Sequence, residues 1–87
     1  MSALKNDLIQ AIELALTGQW DAAHEIVQRY EEDTTASWIH AVLHKMEGDL
    51  PNSGYWYRRA HRATDTTTEA VAELRVIETE LRGSSNT

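Results

Sequence analysis

One proline in 87 residues, Pro51, is the feature that most limits what this chain can become. It stands in G-D-L-P-N, where Gly48 stops one helix and Asp49 and Pro51 begin the next. Glycine closes a last helical turn by going left-handed, and proline near a helix start loses no hydrogen bond. Elsewhere apolar residues recur at helical spacing with little to interrupt them, so the chain divides into helices joined by short turns.

Five helices are expected. The first runs from about Ala3 to Thr17, capped by Ser2 and stopped by Gly18, with a stripe of Leu4, Leu8, Ala11, Ile12 and Ala15. The second runs from about Gln19–Asp21 to Glu32, with Trp20, Ala23, Ile26, Val27 and Tyr30 inward, and the acidic Glu31, Glu32 and Asp33 then break it. The third spans about Ala36 to Glu47 with Ile39, Val42, Leu43 and Met46 buried. The fourth runs from about Asn52 to Ala63 and carries Gly54, unfavourable inside a helix and a sign of close approach by a neighbour. After a Thr- and Asp-rich turn over 64–68, the fifth covers about Thr67 to Arg82. Ala70, Val71, Leu74, Ile77 and Leu81 lie on its apolar side, opposite a solvated face of Glu69, Glu73, Glu78 and Glu80. The expectation is one all-α domain over residues 1–82, packed as antiparallel helical hairpins in a tetratricopeptide-like array or small bundle, with residues 83–87 a disordered tail.

Charge and composition narrow the function classes. Fourteen acids against eight Lys and Arg give a net charge of −6, which opposes general affinity for nucleic acid or anionic membranes. Cysteine is absent, so disulfides and thiol chemistry are excluded. The N-terminal residues do not read as a signal peptide, and no apolar run approaches the roughly 20 residues of a membrane span. The default location is the cytoplasm. Such a small domain commits little surface to its core, so self-association through the last helix would help it.

Ser37 to Arg62 holds two of three tryptophans, three of four histidines and half of the basic side chains. Within it, W-I-H-A-x-L-H-x-x-E-G-D-x-x-N-x-x-Y-W-Y-R-R-A resembles the signature of a small, largely uncharacterised bacterial family of all-helical proteins. G-Q-W-D-A-A-H-E-I resembles that family's upstream helix, and W-Y-R-R-A is similar to repeat ends of Sel1-type and tetratricopeptide-like proteins. The resemblance covers Gly18 to Ala60. It implies a cytoplasmic helical domain and carries no settled activity.

Two constellations could carry chemistry. Tyr55, Tyr57, Arg58, Arg59 and Arg62, with Asn52 at the helix start, form the one basic and aromatic segment, suited to a small anion or an acidic protein partner. The competing account is internal, with Glu47 and Asp49 pairing these arginines across the turn. His40, His44 and Glu47 share a face of the third helix at the spacing by which imidazoles and a carboxylate meet a divalent ion such as zinc, and His24 and His61 could complete the set. The favoured reading is a non-enzymatic interaction or scaffold module with no cofactor, whose last helix offers a seam for a homodimer. The alternative is a small metal-binding protein or enzyme.

Overall fold

The computed structural model describes residues 3–83, and their fold is all-helical. The helices are α1 (Ala3–Leu16), α2 (Trp20–Gln28), α3 (Thr34–Met46), α4 (Leu50–Arg59) and α5 (Ala70–Gly83). Three-residue turns fold α1 onto α2 and α3 onto α4, and α5 returns to pack on α1 and α3. The central element is α3, which touches each of the other four helices. Every residue from Ala36 to His44 is buried. A helix covered on all sides has no polar face left to give to water, and its two histidines are therefore inside the protein.

Several boundaries differ from expectation, each for a local reason. Helix α2 ends at Gln28, and 29–32 form turns, so Tyr30 leaves the helix and its hydroxyl donates to Asp7 of α1. Asp33 is the N-cap of α3, its carboxylate accepting from the Ala36 amide at 2.8 Å. Helix α4 starts earlier, at Leu50, because Asp49 accepts from the Asn52 amide. It stops at Arg59, not Ala63. Helix α5 begins at Ala70 and includes Gly83, while Asp65 accepts from the Thr67 and Thr68 amides in the preceding loop. The expected Ser2 cap and the tail from 84 onward lie outside the described residues.

The core draws on all five helices: Leu8, Ile12, Val27, Ile39, Leu43, Tyr57, Leu74 and Ile77 are almost wholly enclosed. Met46 and Val71, read as inward-facing, are exposed instead. Glu73 is the main correction. Expected on a solvated face, it is 6% exposed and accepts from Trp38 Nε1 at 2.8 Å, from the Tyr57 hydroxyl at 2.8 Å and from Lys45 Nζ at 2.6 Å. These contacts fasten α5 to α3 and α4. Burial and hydrogen bonding to Glu73 push the Tyr57 hydroxyl well above the usual tyrosine range, so it is a permanent donor. Among the described residues no helix is long and apolar enough to cross a membrane.

Candidate metal centre and the arginine cleft

Three of the four histidines meet between α2 and α3. Spacing of four places His40 above His44 on α3, with ring centroids 5.0 Å apart and nearly parallel. Helix α2 brings His24 against both, at 4.7 Å from His40 and 5.2 Å from His44. Nitrogen atoms of the three rings all lie within 4.8 Å of one another, and His24 Nε2 and His40 Nε2 are 3.0 Å apart. Tryptophans close the cluster on two sides: Trp56 of α4 stacks on His40 at 3.8 Å and Trp20 stacks on His24 at 4.7 Å. Trp20 also donates its indole N–H to the Leu43 carbonyl at 2.7 Å, holding the start of α2 against α3.

Burial favours the neutral form of two of these rings, His40 and His24. Burial, then the neighbouring His24 and His44, bring the His40 pKa down to about 3. His24 is lowered as well, first by burial and then by His44, against opposing pulls from Glu47 and Asp21. Neutral imidazole is the form that offers a lone pair to a metal. His44 Nδ1 lies 2.8 Å from Glu47 Oε2. With Nδ1–H donating to that carboxylate, Nε2 keeps the lone pair, which is the outer-sphere pattern that orients histidine ligands.

The expected ligand set is thereby revised. His24 joins His40 and His44, Glu47 contacts His44 from behind, and His61 is elsewhere, exposed on the loop after α4. A second grouping of His44, Glu47 and Asp49 shares the same imidazole at the C-terminal end of α3.

The basic segment is divided by the helix it sits on. Tyr57 is buried in the core and is not part of a surface patch. Arg62 lies 3.3 Å above the Trp38 ring and lines a different cavity from Arg58 and Arg59. Asn52 donates to Asp49. Tyr55, Arg58 and Arg59 do converge, with His61, on a cleft of about 490 Å³ also lined by Glu31, Glu32 and Thr34. Arg59 Nη2 donates to the Glu31 carbonyl at 3.0 Å and Nη1 to the Tyr55 hydroxyl at 3.3 Å. Glu47 and Asp49, expected to pair with these arginines, bond to His44 and Asn52 instead.

Reading α3 alone could supply two of the clustered histidines but not the third, since His24 arrives by helix packing. The stacking partner Trp20 had a signal, its place one helical turn before His24, but core anchoring accounts for a tryptophan equally well, and Trp56 had none. No known family, no curated protein and no solved structure matches the chain.

Proposed function

We propose that this chain is a small transition-metal-binding protein whose ligands are His24, His40 and His44. The observation that carries the reading is the convergence of three imidazoles from two helices, with their nitrogens within 4.8 Å. Zn–N bonds of about 2.0–2.1 Å in a tetrahedral site put ligand nitrogens roughly 3.3 Å apart, so small side-chain shifts would bring this set onto one ion. All-imidazole donors suit zinc, copper or nickel over calcium or magnesium. Bound there, an ion would tie α2 to α3, and Glu47 would hold the His44 tautomer. The interaction-module reading has less support, because Tyr57 and Arg62 of its patch make internal contacts.

The test is zinc, nickel and copper binding to untagged protein, by calorimetry and by metal content after dialysis. About one ion per chain is expected, with a ligand-linked gain of about 2.7 kcal/mol at 100-fold excess over Kd. His24 is only partly buried, so His24→Gln tests the ligand set without hollowing the core. It should weaken zinc binding by at least about tenfold. Absence of retained metal, or unchanged affinity in that variant, refutes the assignment.

A further inference from the structure

Three helices of this chain end in the same backbone motif, and one of them breaks its residue rule. After α1, Gly18 donates to the Ala15 carbonyl and Gln19 to Leu14; after α3, Gly48 donates to Lys45 and Asp49 to His44. After α4, His61 donates to Arg58 and Arg62 to Tyr57 in the same way. The left-handed residue has φ 85° at Gly18, 83° at Gly48 and 62° at His61. A Cβ at either glycine would meet nothing within 4 Å, so conformation alone selects glycine there. At the third position the chain keeps a side chain that the backbone disfavours. Among the described residues His61 alone combines a side chain with positive φ. Such outliers concentrate where the side chain has work to do.

We propose that His61, Arg58 and Arg59 form a binding site for a small phosphate-type oxyanion in the cleft they share with Tyr55 and Thr34. Arg59 is already positioned, by its bonds to the Glu31 carbonyl and Tyr55 and by its place over the Trp56 ring at 5.3 Å. The Arg58 side chain is exposed and, among the described residues, makes no side-chain hydrogen bond or ion pair. Guanidinium forks match the paired oxygens of a phosphate, and an imidazole adds a third N–H donor. Glu31 and Glu32 line the same cleft. The Glu32 side chain is 98% exposed and 3.9 Å from Arg59, a contact weak enough for a ligand to displace. The site shares no residue with the histidine cluster, so it stands whether or not the chain holds a metal.

The experiment is a titration of full-length protein with inorganic phosphate, and separately with O-phosphoserine, at constant ionic strength with chloride as reference. Nitrogen-15 NMR would follow the Arg58, Arg59 and His61 side chains. Saturable shifts confined to this cleft, at ligand concentrations below about 10 mM, are expected. Tighter binding of inorganic phosphate supports a free-ion ligand, and tighter binding of O-phosphoserine supports a phosphate carried on a larger molecule. Arg58→Gln should weaken either at least about tenfold. His61→Gly separates strain from function: it should raise the melting temperature while weakening phosphate binding. Shifts that match those in chloride overturn the proposal, as does a His61→Gly protein that gains stability and binds phosphate unchanged.

Discussion

Single residues carry the sharpest consequences at two buried polar positions. Glu73 takes three donors inside the protein, and Lys45, whose side chain is 9% exposed, has that carboxylate 2.6 Å away. Breaking a buried pair by removing one partner leaves the other charge unsolvated, so Glu73→Ala should cost about 3–5 kcal/mol in chemical denaturation. A loss under about 1 kcal/mol would mean that the carboxylate is not the fastening described above. Ser37 is the opposite case. Its Oγ is enclosed without a hydrogen-bond partner among the described residues, so the hydroxyl is a liability. Ser37→Ala should be neutral or stabilise by up to about 1 kcal/mol, measured as a shift in urea midpoint at unchanged slope. Neither residue announced its role. A glutamate four positions after Glu69 and seven before Glu80 reads as one more charge on a wet helix face.

At the scale of the helix, spacing did most of the positioning. The stripe of α1, that of α3 except Met46, the glycine stops and the Asp49–Pro51 start follow from the 3.6-residue repeat and from end chemistry, and the structure has them. Helix α4 shows where that reasoning stops. Nothing in Y-R-R-A-H-R-A forbids another turn of helix, yet the chain leaves at Arg59 through a left-handed histidine, and Arg62 covers the Trp38 ring. Gly54 was read as marking a close neighbour, but a Cβ there would meet only side-chain atoms at 3.6 Å and beyond, ordinary contact distance. Gly54→Ala should therefore raise stability by about 0.5–1 kcal/mol, the helix-propensity difference, seen as a higher melting temperature. A destabilised variant would place a tighter contact at Thr64 than the one observed.

Across the whole molecule, the histidine cluster ties stability to pH. His40 is held at a pKa of about 3 by burial and by His24 and His44, against an ordinary 6.5 when unfolded. Because the folded value is the lower one, the unfolded chain takes up more protons below pH 6.5. Stability is fully present above that value and is lost as pH falls from about 6.5 toward about 3, at up to about 1.4 kcal/mol per unit from this group. His24, also lowered, acts in the same direction. Metal-free protein should show a falling urea midpoint from about pH 7 to about pH 5, and His40→Gln should flatten that slope. A flat profile in the unsubstituted chain would contradict a neutral, buried His40.

How much of this protein could be read along the chain divides at the range of the interaction. Local rules decide local things: i-to-i+4 spacing put His40 and His44 together, the absence of cysteine removed thiol chemistry, and caps and glycines cut the chain into helices. What needed the folded molecule was every pairing between helices. His24 reached the cluster and His61 did not; Glu73 went inside and Arg62 onto Trp38; the basic segment was divided between core and cleft. The physical reason is that a helical repeat specifies which face of each helix is apolar, while the crossing of two helices decides which residues at the edges of those faces meet. Polar side chains at such edges can turn to water or to a buried partner, and only packing selects between the two.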